Sequence, residues 1–159
     1  MPGAQLGLNA RLYIGDVFTP GTAPADASEW NVTNNVRDCT LDLTKGTADV
    51  TTRANNGFVA IIGTLKDATL KFTSVWNDAD AQFLVLSDAF MDNTQLWALV
   101  LDKELGVAGT TATGLMAWME VVGFVRNEQL TEGITVDFSL KPAYNLTLPP
   151  VWRTIVTPP

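Results

Sequence analysis

In the stretch Lys66-Asp67-Ala68-Thr69-Leu70-Lys71-Phe72-Thr73-Ser74-Val75-Trp76 the side chains alternate. Ala68, Leu70, Phe72 and Trp76 fall on one side of an extended chain, and Asp67, Thr69, Lys71 and Thr73 on the other. A period of two marks a strand with one face buried. The pattern repeats upstream, where Cys39, Leu41 and Leu43 oppose Asp38, Thr40, Asp42 and Thr44. It repeats again over residues 133–141, where Ile134, Val136, Phe138 and Leu140 oppose Thr135, Asp137 and Ser139. Three strands therefore share a polar face rich in Thr and Asp, and Cys39 reads as a small core residue.

One segment departs from this period. After Asn77, residues 78–92 place Ala79, Phe83, Leu86 and Phe90 at helical spacing, with Asn77 or Asp78 as the cap and Asn93 as the stop. Two further strands, residues 95–101 and 114–125, are apolar on both faces and joined by the small-residue loop 106–113. Such strands must be covered twice. The second cover is either the chain itself or, as the preferred reading, a neighbouring subunit.

At the ends, residues 11–15 form a short first strand, and residues 16–35, with Pro20, Gly21 and Pro24, read as an irregular loop. Residues 145–159 hold Pro149, Pro150, Pro158 and Pro159, which exclude a central strand, beside Trp152, Ile155 and Val156. An extended arm results, expected to dock on another copy rather than on its own domain. The whole is one domain: an N-terminal arm (1–10), a body (11–144) and a C-terminal arm (145–159). The fold class is mainly β, an antiparallel sandwich or barrel with one flanking helix.

Composition narrows function. The chain has 159 residues, a net charge of -7 and 17% charged residues, against a usual share of about 25%. No basic run is present, which argues against phosphate-gripping nucleic-acid binding. One cysteine and no histidine make zinc, redox and histidine-assisted nucleophilic chemistry poor readings. No cofactor or metal site is expected. The start of the chain has no basic region leading into an apolar stretch, and no apolar run reaches membrane-spanning length, so folding in the cytoplasm without membrane insertion is expected.

Candidate chemistry is sparse. Asp78 and Asp80 suit a helix start better than a cation site. Asp38 and Asp42 lie too far apart along a strand to share a proton. Glu120, the one acid within 116–125, marks an edge, a subunit contact or a partner of Arg126 or Arg53, and the sequence does not choose among these. The five tryptophans suit core packing and interface anchoring better than a sugar platform.

The segment Ala48-Asp49-Val50-Thr51-Thr52-Arg53-Ala54-Asn55-Asn56-Gly57-Phe58, followed by Gly63-Thr64-Leu65-Lys66-Asp67-Ala68, resembles the major tail tube proteins of long-tailed, non-contractile phages. The likeness extends through Val75-Trp76, the helix, Gly123-Phe124-Val125 and Ile134-Thr135-Val136. It implies a non-enzymatic virion protein whose sixfold rings stack into a hollow tail tube for DNA ejection. Residues 45–58 then resemble the long loop that reaches the next ring, with Asp49, Arg53, Asn55 and Asn56 as contacts; deleting 47–56 should block stacking and spare the fold. Asp38, Asp42, Asp67 and Asp137 would face the lumen, and Leu8, Trp152 and Ile155 would anchor the arms. Implied partners are further copies of the chain, a tape-measure protein, a tail terminator and distal tail proteins, with DNA passing unbound. Tubes of contractile tails and type VI secretion share the resemblance. A carbohydrate-binding sandwich and a paired-carboxylate hydrolase remain rivals from other classes.

Overall fold

A computed structural model describes residues 10–16 and 18–157. Its strands are β1 (Arg11–Gly15), β2 (Trp30–Val32), β3 (Val36–Asp49), β4 (Ile61–Val75), β5 (Gln95–Leu101), β6 (Thr111–Asn127), β7 (Thr135–Pro142) and β8 (Val151–Val156), with helix α1 (Ala81–Met91) between β4 and β5. All strands join one antiparallel sheet in the order β2-β1-β5-β6-β7-β4-β3, with β8 added beside β6. The sheet curls into a half barrel. The strands at the two ends of this order, β2 and β3, are consecutive in the chain and joined by residues 33–35 alone. The edges therefore meet at this seam and diverge beyond it.

One face of the sheet carries the main core: Leu70 and Phe72 of β4, Val136, Phe138 and Leu140 of β7, Met119 and Val121 of β6, and Leu12 and Ile14 of β1. Helix α1 lies over it with Phe83, Leu86 and Ala89 buried. Phe138 is the hub of an aromatic cluster, with ring centroids 5.4 Å from Phe72, 6.0 Å from Phe83 and 5.3 Å from Phe124. The helix starts later than its periodicity suggested. Asp80 is the cap, accepting from the Gln82 amide at 2.9 Å, whereas Asn77 caps only the preceding turn at Ala79. The Asp80 carboxylate is fixed further by Asn35, whose side-chain amide donates to it. The stop is at Asn93, which has φ 53°, and the Thr94 amide reaches back to the Ala89 carbonyl.

The opposite face is divided. Over β1, β5 and β6 it holds a second core of Tyr13, Trp97, Leu99, Met116 and Trp118, covered by Ala23, Leu105, Ala143, Leu148 and Ile155. Both faces of β5 and of β6 through Val121 are thus covered within the chain, one by α1 and the main core and the other by loops and β8, which corrects the expectation of a neighbouring subunit as cover there; Val122 and Val125 of β6 stay exposed. Polar ends are satisfied within this layer: the Trp97 indole donates to the Thr19 carbonyl at 3.3 Å and Trp118 to Gln95 at 2.8 Å. Within the expected irregular loop 16–35, β2 forms because Tyr13 and Gly15 pair with Val32 and Trp30. A Cβ on Gly114 would lie 1.6 Å from the Val100 carbonyl oxygen. Gly114→Ala must push β5 and β6 apart, and a loss at the upper end of the ~1–3 kcal/mol overpacking range is expected, read as a lower urea midpoint with unchanged slope.

Candidate assembly surfaces

Beyond the seam β3 and β4 continue as a two-stranded hairpin that leaves the core. Their pairing runs from Val36 against Ser74 to Asp49 against Ile61, so the expected loop 45–58 begins with paired strand and the true connection is residues 50–60. Irregularities near Asp38 and Gly46 twist the ladder. Asp49, Arg53, Asn55 and Asn56 all lie at this tip. The Asp49 carboxylate accepts from the Thr51 amide at 2.8 Å and from its hydroxyl, and these bonds hold its carboxyl below the usual aspartate range. Arg53–Asn55 is a 3-10 turn followed by Asn56 at φ 49° and Gly57 at φ 83°. The Asn55 side-chain nitrogen is shielded from solvent without a hydrogen-bond partner.

Residues the sequence reading passed over dominate the tip. Val50, Phe58, Val59, Ile61, Ile62 and Leu65 are exposed, Phe58 at 77% and Leu65 at 86%. The available signal was the unbroken apolar run Phe58-Val59-Ala60-Ile61-Ile62, which alternation alone does not explain. Large apolar side chains gathered in one protruding hairpin and left in water mark an interaction site.

The second surface is the bare half of the sheet's outer face. The register sets Asp42 against Thr69, Asp67 against Thr44 and Asp137 against Thr73, so these three acids share one face as their alternation required. The face is mixed rather than uniformly acidic. Arg37, Lys71 and Lys141 lie on it, Lys141 within 3.2 Å of Asp67, while Asp137 accepts from Thr73 and from Asn127 at 2.7 Å. Glu120 lies between Gln95 and Lys141 of the flanking strands. Of the two arginines suggested for it, Arg53 is at the hairpin tip, and Arg126 pairs with Glu128 at 2.6 Å and sits 4.4 Å over the Trp76 ring.

Asp38 does not belong to that regular face. It has φ 47° and sits with Cys39 in the bulge that opposes β4, where the alternation slips by one residue. Cys39 is consequently exposed and free rather than a core residue. Both line a cleft of about 830 Å³ at the seam, floored by Leu12, Val36 and Val100 and rimmed by Arg37 and Asn34. Desolvation there pushes the Cys39 thiol up to about 11, so it is an unreactive thiol at neutral pH.

The C-terminal stretch is strand β8 on the chain's own sheet, pairing Met116 with Val151 through Thr111 with Val156. It is an edge strand between the proline pairs, as their lack of donors requires. Asn145 turns the chain toward it by accepting from the Thr147 and Leu148 amides at 3.0 and 3.1 Å. Ile155 packs into the second core, whereas Trp152 is 58% exposed. Leu8 lies outside the described residues. Among the described residues no group of three or more His, Cys, Asp or Glu could hold a metal, and no helix is long and apolar enough to cross a membrane.

A long hairpin leaving a curled sheet with one helix is a shape that other proteins share. No family model and no curated protein matches the sequence. Solved structures do match. The tail of an empty gene transfer agent particle superposes with TM-score 0.67 at 13% identity, covering 94% of this chain and 99% of that one. The SPP1 tail tube gives TM-score 0.70 at 9% identity, covering 96% and 81%. This chain has a tail-tube fold. A chain of the anti-feeding prophage baseplate shares it as well, at TM-score 0.63 and 10% identity, with 98% of each covered. The apolar tip, the mixed polar face and the seam cleft are candidate contact surfaces on this fold.

Proposed function

We propose that the protein is a structural, non-enzymatic virion subunit that polymerises as stacked hexameric rings into the tail tube of a long-tailed phage, through which DNA is ejected. The observation that carries this reading is the solvent-exposed apolar hairpin tip on a tail-tube fold: a subunit that worked alone would not display it. Sixfold symmetry belongs to the gene transfer agent tail and to the baseplate that share the fold, and it supports a ring of six here. Asp49, Arg53, Asn55 and Asn56 serve as inter-ring contacts. The face of Asp42, Asp67 and Asp137 lines the lumen, with Asp38 at its margin; its interleaved charges offer phosphates no sustained attraction. Trp152 and Ile155, with Leu8, anchor the termini. Tape-measure, terminator and distal tail proteins complete the set of partners, assembly takes place in the host cytoplasm, and the product is a virion component. A contractile or secretion-type tube is the second reading, favoured by the likeness to the baseplate chain.

Negative-stain electron microscopy over a concentration series tests it. Hollow rings or tubes of uniform width are the expected result. Monomers at every concentration, together with saturable quenching of tryptophan fluorescence by sugars, would replace it with a carbohydrate-binding module.

A further inference from the structure

Resting on the tube reading, we propose that the seam cleft is the receptor for the apolar hairpin tip of a second copy. The two features sit at opposite ends of β3. Cys39 in the cleft and Asp49 at the tip are ten residues apart, about 33 Å along an extended strand. A strand paired from Thr40 to Asp49, interrupted only at Gly46, cannot fold back on itself, so the tip reaches a cleft only on another molecule. A protruding patch that fits a hollow elsewhere on the same surface makes a head-to-tail contact, which propagates as a ring or a filament instead of stopping at a dimer.

The chemistry of the two surfaces matches. The cleft has an apolar floor of Leu12, Val36 and Val100, and its 830 Å³ suits a few large side chains such as Phe58, Val59 and Ile62. Its lining presents Arg11, Arg37 and Asp38, and the tip presents Asp49 and Arg53, so each side offers charges opposite to those on the other, with the cleft the more basic. Asp38 is held at positive φ, a conformation that costs an aspartate energy and points its backbone out of the ladder at the mouth of the cleft.

Cys39 is the chain's sole cysteine and lines this cleft, so it reports occupancy directly. The native protein is alkylated with iodoacetamide at pH 9 as dispersed subunits and as pelleted tubes. Labelling of Cys39 should slow by at least about tenfold in tubes, because access limits the reaction. In tubes of a Val59→Cys variant, mild oxidation should yield a ladder of disulfide-linked oligomers that disappears when Cys39→Ser is added. Tubes whose Cys39 labels at the dispersed rate, or in which the thiol introduced at position 59 links only to its own counterpart on another copy, overturn the cleft assignment and leave the tube reading standing. Failure of the native chain to assemble at all overturns both.

Discussion

A Phe58→Asp, Leu65→Asp double variant is expected to fold as the native chain does and to form no tubes at concentrations where the native chain polymerises. Both side chains are already in water in the subunit, so their loss should change stability by no more than about 0.5 kcal/mol. In an assembly each would be buried, which is worth roughly 1.5–3 kcal/mol per large apolar side chain. Two such losses at one contact raise the concentration needed for assembly by about 10²–10⁴-fold, since each 1.4 kcal/mol is tenfold. Circular dichroism melts and sedimentation of the same samples separate the two effects. Tubes at the native threshold would show that the hairpin tip is not an assembly surface.

The converse result is expected at Phe138. Phe138→Ala removes three ring contacts, to Phe72 of β4, Phe83 of α1 and Phe124 of β6, in the middle of the main core. A cost of about 3–5 kcal/mol applies to such a truncation, set against a total stability of about 5–15 kcal/mol. For a chain of this size the melting temperature should fall by roughly 6–20 °C. Assembly should fail together with the fold, unlike the hairpin variant. A melt within about two or three degrees of native would mean that the cluster closes over the gap.

Much of this architecture was legible because alternation is a local property. β5 and β7 were readable to within two residues and β4 at its C-terminal end, though it starts five residues earlier than read, and the polar faces of β3, β4 and β7 merged as their periods required. The misreadings have a common cause. Cys39 left the core because a bulge changes the parity of a strand, and no composition rule places a bulge. The paired base of the hairpin was read as loop because Gly46 and Asn56-Gly57 look like breakers, although only the second site is the turn. The covering of Trp97 and Trp118 depends on loops far away in sequence, from Ala23 to Ile155. At the candidate contact surface of the tip, the polar motif positions were visible, while the apolar ones beside them were masked by their resemblance to ordinary buried strand.

The joining of the two sheet edges by residues 33–35 also sets an order in time. The β3–β4 hairpin closes a connection of about eleven residues, whereas β1 must wait for β5, with Arg11 against Leu101 across about ninety. Loop-closure entropy makes the second step costlier by about 2 kcal/mol, so it comes later on the ribosome and in refolding. The protruding hairpin is therefore available as soon as residue 75 has emerged, but the cleft needs β1 and Val100 of β5 in place. If the tip docks in the cleft as proposed, a nascent chain can offer its contact before it can accept one, and only a subunit whose curled sheet is complete can be built upon.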